Sequence, residues 1–481
     1  MIRPSIVLCC FVSICLWACQ QNTEDSNQEG APQHPNILFI LADDMGYGDP
    51  QSYNPQSKIS TPNIDKIAKN GIRFTDAHSP GPWCVPSRYG LITGQYPYRI
   101  ELNWRERALI TPDQLTIAQL LKRNGYHTAM VGKWHLGFDS IDWNNIPPDQ
   151  PFRGGPVDHG FDEFFGMHAS LDIPPYFYIE GTRAVAAPTD TIADHQSADA
   201  TTTISGAFWR TGDIAPGFRH VDVLPTFTQK AAAFLKEHHA QEPEIPFFLY
   251  VPLTAPHTPW VPTQAFQGSS QVGEYGDFMQ QVDHTVGDLL HTLDSLGYTD
   301  NTLVIFTSDN GPVWFPEDEE KFDHQSTGAL RGMKIDYWEG GHRVPFIVQW
   351  PGKIPAGVVR NDLLGFTDML ATFAAIVEDS TSLENVDSYN MLPALLDQKL
   401  SNPIRTDMII GDNVARQGNW KFIRGGGEGS LSRTYGRNVQ EAKQQSDELY
   451  HLGEDLSETQ NLLIEQAEKA RELKALLPQT P

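Results

Sequence analysis

The chain has few cysteines for its length. Only five of its 481 residues are cysteine, and four of them, at positions 9, 10, 15 and 19, precede residue 20. Cys84 is therefore the single cysteine in the rest of the chain, which excludes a disulfide within that part. A lone thiol kept in an exported protein usually has a chemical reason, so Cys84 is a candidate functional residue. A small buried core cysteine is an equal alternative.

Positive charge is also scarce. Thirty-five Lys and Arg against 60 Asp and Glu give a formal net charge of −25 and a pI near 4.9. No basic block is present, and a field of this sign repels nucleic acid, so we expect no nucleic-acid partner. An enzyme with this charge that acts on an anion must gather its few cations locally, where water is excluded.

The first apolar run is too short to span a membrane. It extends from Ile6 to Trp17 after Arg3, about half of the ~20 residues that a spanning helix needs, and is typical of an export signal. It ends at Leu16-Trp17-Ala18-Cys19, which resembles a bacterial lipoprotein lipobox except for the bulky Trp17. We expect a lipoprotein-type signal in residues 1–19, a lipid anchor on Cys19, and export to the periplasm or outer membrane. A plain signal cleaved near Ala18 is the alternative.

Composition and length predict a globular protein with more than one part. Residues 20–34 are polar and indicate a flexible tether, whereas 40% hydrophobic residues and eleven Trp can form a substantial core. A chain of this length usually exceeds one domain. We expect a catalytic domain at 35–385 and a C-terminal subdomain at 386–481, with a small sheet and a helix around 458–473.

Apolar runs alternate with helical patterns along the larger part. Runs at 36–42, 128–132, 246–252 and 302–307 predict strands, and patterns at 61–70, 116–124, 227–238 and 275–296 predict helices. This alternation is typical of an α/β fold with a mostly parallel sheet flanked by helices. Ligands of such sheets bind beyond the carboxyl ends of the strands. Polar residues follow all four runs and are expected to meet there: Asp43, Asp44, Lys133, His135, His257, Asp309 and Asn310.

Cys84 is predicted to lie at the beginning of a helix. Pro86 fits a first helical turn, and Tyr89 to Thr93 continue the pattern. The positive end of the helix dipole then faces the Cys84 thiol. This placement predicts a thiol pKa below the usual value of about 8.5, and an anion-binding pocket.

The segment Cys84-Val85-Pro86-Ser87-Arg88 is similar to the C-x-P-S-R signature of type I sulfatases. Further similar motifs are Asp43 to Gly46, Gly132 to Gly137, Ala255 to Pro259, Ser308 to Gly311, and Gly332-Met333-Lys334 to Gly341. From about Pro35 onward the chain resembles this family, including arylsulfatases and N-acetylgalactosamine-6-sulfatase-like bacterial enzymes. The resemblance implies sulfate ester hydrolysis and an alkaline-phosphatase-like α/β fold, with a small C-terminal α+β subdomain.

The resemblance also implies a cofactor and a set of site residues. Cys84 would be oxidised to formylglycine by a dedicated maturation enzyme, and the metal would be Ca²⁺. The implied metal ligands are Asp43, Asp44, the converted Cys84, Asp309 and Asn310, an oxygen set that suits a hard cation. The implied catalytic residues are Cys84, Arg88, Lys133, His135, His257 and Lys334.

These residues have separate implied roles. Arg88 holds the metal side of the site, while His135 acts as a base and Lys133 polarises the nucleophile. His257 and Lys334 contact the sulfate and the bridging oxygen and donate to the leaving alcohol.

Two other functions remain open at this point. A metal-dependent phosphatase or phosphodiesterase of the same superfamily shares tetrahedral substrate geometry, and fold alone does not exclude it. A non-catalytic glycan-binding lipoprotein is the second alternative, although it would not need all of the implied catalytic side chains. For the sulfatase, we expect a sulfated carbohydrate substrate met in polysaccharide degradation, such as 6-sulfated galactose or N-acetylgalactosamine. Asp172 and His220 are candidate contacts to its sugar hydroxyls.

Overall fold

The computed structural model describes Met1 and residues 34–139, 141–143, 145–147, 149–380, 383–435 and 446–479. Cys19 and the expected export signal and tether lie outside these residues, apart from Met1 and His34. Among the helices that the structure describes, none has the length and apolar character required to cross a membrane.

The described residues form strands and helices along the whole range. The strands are β1 (Asn36–Asp43), β2 (Ile72–Phe74), β3 (Ala77–His78), β4 (His127–Lys133), β5 (Glu163–Met167), β6 (Ile179–Glu180), β7 (Arg183–Ala184), β8 (Asp190–Ile192), β9 (Gly212–Ile214), β10 (Phe247–Pro256), β11 (Thr302–Ser308), β12 (Phe346–Gln349), β13 (Val358–Arg360), β14 (Leu364–Gly365), β15 (Asp407–Ile410), β16 (Val414–Gln417), β17 (Trp420–Ile423) and β18 (Glu448–His451). The helices are α1 (Pro62–Asn70), α2 (Cys84–Thr93), α3 (Ile117–Arg123), α4 (Val223–Gln241), α5 (Gly273–Ser295), α6 (Pro316–Phe322), α7 (Glu339–His342), α8 (Met369–Ile376), α9 (Leu392–Leu395), α10 (Ser430–Tyr435) and α11 (Ala467–Lys474).

One large sheet organises the fold. Its strand order is β13-β2-β12-β11-β1-β10-β4-β5-β6-β7. The central strands β11, β1, β10, β4 and β5 are parallel to one another, whereas β12 and β6 pair antiparallel with their inner neighbours. Every residue of β1 is buried, as its continuous apolar sequence predicts for a strand covered on both faces. The mixed, mostly parallel sheet confirms the fold class predicted from the sequence.

Helices cover both faces of this sheet. Phe247 of β10 contacts Phe234 of α4 with ring centroids 6.2 Å apart. The next residue, Phe248, contacts Phe373 of α8 at 6.0 Å. Because successive strand residues point to opposite faces, α4 and α8 lie on opposite sides of the sheet. The hydrophobic core therefore forms two layers, one on each side of the central strands.

A smaller antiparallel sheet, in the order β15-β16-β17-β18, follows the main one and has a hydrophobic core of its own with α11. The helix expected around 458–473 begins only at Ala467, so the prediction is wrong for its first part. Glu458 is fully buried and its carboxylate lies 2.8 Å from Lys421 Nζ of β17. Glu458 lies in a turn that precedes this helix, where its backbone N–H donates to the Asp455 carbonyl at 3.2 Å.

Candidate active site

The carboxyl ends of four adjacent strands bring the predicted polar residues together. β11, β1, β10 and β4 are neighbours in the sheet, and each ends at the same edge because they are parallel. The residues at or just beyond these ends are all at least 93% buried: Asp43, Asp44, Lys133, His135, His257, Asp309 and Asn310. The convergence expected from the sequence pattern is thus present in the structure.

Cys84 reaches the same place from the first turn of α2. Its Sγ lies 3.6 Å from Asp43 Oδ1 and 3.5 Å from Lys334 Nζ. The prediction of a helix beginning at this cysteine is confirmed. The prediction of a lowered thiol pKa is wrong: burial raises the pKa of Cys84 to about 12, against the opposing effect of the two lysines Lys133 and Lys334.

Each carboxylate in the cluster is paired with a cation. Lys133 Nζ lies 2.6 Å from Asp43 Oδ2, and Lys334 Nζ lies 2.7 Å from Asp44 Oδ1. In the third pair, Arg88 Nη2 lies 2.8 Å from Asp309 Oδ2.

Burial and these ion pairs act against each other on the carboxyl pKa values, and the net result differs between Asp43 and Asp309. Burial alone would raise the pKa of Asp43, but Lys133, His257 and Arg88 hold it well below its usual range. Burial, reinforced by the nearby Asp43 charge, raises the pKa of Asp309 to about 7.

Lys334 enters the site from a loop, since no strand carries it. Its backbone N–H donates to the Pro312 carbonyl at 2.8 Å, next to the end of β11. Gly311 packs so closely on this segment that an added Cβ would lie 1.8 Å from the Gly340 carbonyl oxygen. The absence of a side chain at Gly311 therefore lets the loop that carries Lys334 approach the strand ends.

The cluster contains donor atoms suited to a hard cation. Ligand atoms of Asp43, Asp44, Cys84 and His257 all lie within 4.8 Å of one another. Asp309 Oδ1 accepts from the Asp44 backbone N–H at 3.2 Å. Asn310 Nδ2 donates to Asp44 Oδ1 at 2.6 Å, which leaves Asn310 Oδ1 buried without a hydrogen-bond donor. Buried carboxylates and one unpartnered amide oxygen fit a calcium ion, and the orphaned Asn310 Oδ1 is the atom such an ion would satisfy.

Two histidines flank this cluster with different protonation chemistry. Burial, aided by the Lys133 and Arg88 charges, holds the pKa of His135 well below its usual value, so its imidazole is neutral at pH 7. His257 Nδ1 lies 2.5 Å from the Thr258 carbonyl oxygen, which only accepts, so Nδ1 carries a proton. His257 Nε2, 3.6 Å from Asp44 Oδ2, is therefore a donor only when the ring is fully protonated.

Backbone strain marks two residues of the site. Asp44 has φ +65° and His135 has φ +57°, a left-handed conformation that is uncommon outside glycine. Such strain, of order 1–3 kcal/mol per residue, persists where the surroundings hold the residue in place.

Asp172 and His220 lie beside the cluster. Asp172 Oδ1 is 3.9 Å from His257 Nδ1, and both Asp172 Oδ1 and His220 Nε2 are buried without a hydrogen-bond partner. Arg210 holds the other carboxylate oxygen of Asp172 in a short ion pair and donates to its backbone carbonyl at 3.0 Å. Sequence reasoning missed Arg210, because it lies in a long loop 38 residues away where no motif marks it.

The fold and this site together define an α/β enzyme with a buried, charge-paired centre at a parallel sheet edge, an arrangement suited to an anionic ester. Residues 35–380 match the family model described as sulfatase. The chain therefore belongs to the sulfatase family, and it is a hydrolase of sulfate esters.

Individual relatives agree with this assignment. The chain is 33% identical to the N-acetylgalactosamine-6-O-sulfatase of Bacteroides thetaiotaomicron, over 96% of each protein. It is 31% identical to human arylsulfatase A, over 89% of this chain and 83% of that protein. A solved structure described under glycosaminoglycan metabolism by Bacteroides thetaiotaomicron superposes with a TM-score of 0.77 at 32% identity, over 92% of this chain and 98% of that one.

Proposed function

We propose that the protein is a calcium-dependent sulfatase whose Cys84 is converted to formylglycine, and that it removes 6-sulfate from galactose or N-acetylgalactosamine units of a glycan. The position of Cys84 carries the proposal. Its sulfur lies within 3.6 Å of both Asp43 and Lys334, inside the buried charged cluster. The residue that the family signature marks thus stands where a sulfate ester would meet cations and a metal.

An unmodified Cys84 would be a weak nucleophile. With burial raising its pKa to about 12, the thiol is protonated at pH 7, and the thiolate is the reactive form of cysteine. Conversion to formylglycine by a maturation enzyme would replace this inert thiol. The buried surroundings of Cys84 therefore disfavour catalysis by the thiol itself.

Asp43, Asp44, Asp309 and Asn310 would hold the calcium ion together with the converted Cys84. When bound, calcium would polarise a sulfate oxygen and offset the negative charge that develops on it. The three carboxylates of the site are already balanced by Arg88, Lys133 and Lys334. Two added positive charges would leave the site with an excess that attracts an anionic ester, despite the net charge of −25 on the chain.

The side chains around Cys84 can each perform one step of ester cleavage. Neutral His135 can accept a proton from the nucleophile. Lys334 Nζ and His257 Nε2 face the same cluster, where Lys334 can donate to the sulfate, and His257 Nε2, when it carries a proton, can donate to the leaving alcohol. Lys133 stays paired with Asp43 at 2.6 Å and orients that ligand.

The preference for a 6-sulfated sugar rests on relatives and on two free polar atoms. The Bacteroides relative and its canine counterpart, 34% identical over 78% of this chain, are named as N-acetylgalactosamine-6-sulfatases. Asp172 Oδ1 and His220 Nε2, buried and unpartnered, would accept hydrogen bonds from sugar hydroxyls. A substrate whose hydroxyl donates to a buried acceptor binds more tightly, whereas a substrate without that hydroxyl leaves the acceptor unpaired and binds more weakly.

A comparison of substrates tests this function. Purified, calcium-loaded enzyme should release sulfate from 6-sulfated N-acetylgalactosamine faster than from the 4-sulfated isomer, and should hydrolyse the matching phosphate ester slowly. Asp172→Asn should lower kcat/KM on the sugar sulfate more than on a small aryl sulfate, whereas exposed Asp199→Asn should change neither. Faster phosphate than sulfate hydrolysis would support the phosphatase alternative and overturn the proposal.

We also propose export and lipid anchoring through Cys19, on the strength of the N-terminal signal pattern alone. Labelled fatty acid fed to the native host should enter the wild-type protein and be lost in Cys19→Ala. Labelling that persists in that variant would contradict an anchor at Cys19.

A further inference from the structure

A second group of metal-ligating side chains lies at the far end of β4 from the candidate active site. His127 is the first residue of this strand and Lys133 the last, a separation of about 20 Å at ~3.3 Å per residue. His238, near the end of α4, and Glu242, the residue after that helix, face His127. Ligand atoms of these three residues all lie within 4.8 Å of one another.

The ligand atoms of these three residues lie close together, and each of them can carry a lone pair. His127 Nδ1 lies 3.2 Å from His238 Nδ1 and 3.2 Å from Glu242 Oε2. In a tetrahedral zinc shell with bonds of about 2.0–2.1 Å, neighbouring ligand atoms are about 3.3–3.4 Å apart. The two distances from His127 Nδ1 are therefore close to edges of such a shell, and His238 Nδ1 and Glu242 Oε2 lie within 4.8 Å of each other.

The hydrogen-bond partner of Nε2 on each imidazole determines whether Nδ1 can bind a metal. His238 Nε2 lies 2.8 Å from the Ile245 carbonyl oxygen, and His127 Nε2 lies 3.1 Å from Glu163 Oε1. Both oxygens accept, so both Nε2 atoms carry protons, and in the neutral form of each ring Nδ1 points its lone pair at the centre. Metal-binding histidines are typically oriented in this way, by a carbonyl or a carboxylate on the outer nitrogen.

Three converging acceptors repel one another unless a cation lies between them. A proton on His127 Nδ1 would have to be shared between His238 Nδ1 and Glu242 Oε2, whereas a metal ion binds all three. A comparison within the molecule shows how a protein cation fills such a space. In the group His78, Glu339 and His342, Lys421 Nζ lies 2.9 Å from Glu339 Oε1 and 3.1 Å from His342 Nε2.

The group at the end of β4 has no such cation. Among the ion pairs of the described residues, neither a lysine nor an arginine is paired with His127, His238 or Glu242. We propose that these three side chains bind a zinc ion that ties the end of α4 to the start of β4. Imidazole and carboxylate ligands suit this metal, and water would complete its shell.

Zinc titration of the tag-free protein tests the site. With calcium kept saturating, a chromophoric chelator should report one zinc bound per wild-type chain, and zinc should raise the Tm. His127→Gln and Glu242→Gln should each weaken this binding by at least about tenfold and abolish the Tm shift. Glu242 is exposed, so its variant tests the site even if His127→Gln folds poorly.

The matched control is His239→Gln, which alters an exposed histidine next to His238 on the same helix and should bind zinc as the wild type does. Zinc that binds elsewhere would appear equally in all variants. The proposal is overturned if wild-type protein binds no zinc at micromolar concentrations, or if Glu242→Gln and His127→Gln retain wild-type affinity. In either case a shared proton holds the cluster together.

Discussion

Lys334 Nζ contacts both the Asp44 carboxylate, at 2.7 Å, and the Cys84 sulfur, at 3.5 Å. Burial lowers the pKa of Lys334, but the charges of Asp44, Asp43 and Asp309 together with Cys84 outweigh it and raise that pKa, so the side chain is charged at pH 7. A fixed positive charge beside the nucleophile position stabilises negative charge that develops there.

Lys334→Ala should therefore lower kcat by about 10²–10³ with a smaller change in KM, as expected for loss of one donor to developing charge. The measurement is steady-state hydrolysis of an aryl sulfate, with circular dichroism to verify the fold. Lys353→Ala, which removes an exposed lysine, is the control and should keep wild-type rates. An equally active Lys334→Ala variant would remove this residue from the catalytic set.

Asp309 links calcium binding to pH. Its pKa in the metal-free protein is raised to about 7, chiefly by burial, so the carboxyl is protonated below that pH, while calcium requires the carboxylate. Calcium affinity should be constant above pH 7 and fall about tenfold per unit below it, as a proton is released on binding.

Calorimetric calcium titration of EDTA-treated protein at pH 6 and pH 8 checks this linkage. Two buffers of different ionisation enthalpy should report about one proton released per calcium at pH 6 and none at pH 8. Equal affinities at the two pH values, without proton release, would show that Asp309 is ionised throughout.

Gly311 sets the distance between two elements, the end of β11 and the loop from Lys334 to α7. Since an added Cβ would lie 1.8 Å from the Gly340 carbonyl oxygen, one of the two backbones must move in Gly311→Ala. We expect a loss of kcat together with a lower Tm, because Lys334 is displaced and the packing is disturbed. Wild-type kcat in this variant would show that the loop tolerates the shift.

The central strands could be predicted because the sequence of each one is by itself typical of a buried strand. β1, β4, β10 and β11 are continuous apolar runs, and strands buried on both faces have this composition. The polar residues that follow them were predictable as one site because parallel strands end at one edge. The local sequence predicted a helix over 458–473, but the helix begins only at Ala467. Glu458 is instead buried and paired with Lys421, which lies 37 residues earlier in the chain, and a local pattern does not display such a contact.

Other features depend on burial or on distant contacts that a sequence does not display. The thiol pKa of Cys84 was predicted from the helix terminus alone, and burial reverses its direction. Arg210 and the cluster of His127 with His238 are likewise visible only once the chain is folded. The family motifs could indicate which residues share a site, but not which protonation states the folded site imposes on them.

The two sheets are joined by buried charges. Lys421, from the smaller sheet, lies 2.9 Å from Glu339 Oε1 of α7 and 2.8 Å from Glu458 Oε1, and all three side chains are fully buried. Since α7 follows the loop that carries Lys334, this connection also holds the site loop against the smaller sheet.

Lys421→Met should destabilise the protein by about 3–5 kcal/mol, because it leaves the buried Glu458 without its lysine and removes one of the cations that pair with Glu339, which keeps Arg343 at 2.9 Å. Urea unfolding provides the measurement. Lys469→Met removes a partly exposed lysine paired with Glu472 and should stay within about 0.5 kcal/mol of wild type. A Lys421→Met variant as stable as that control would mean that the buried pairs contribute no net stability.

The identity of residue 84 in mature protein tests the central claim most directly. Mass spectrometry of a tryptic peptide spanning Cys84, from protein purified out of its native host, should show a mass about 18 Da below that of the unmodified peptide, as a thiol replaced by an aldehyde requires. That result would establish formylglycine at the centre of the charged cluster. An intact thiol in active native enzyme would contradict the proposed mechanism.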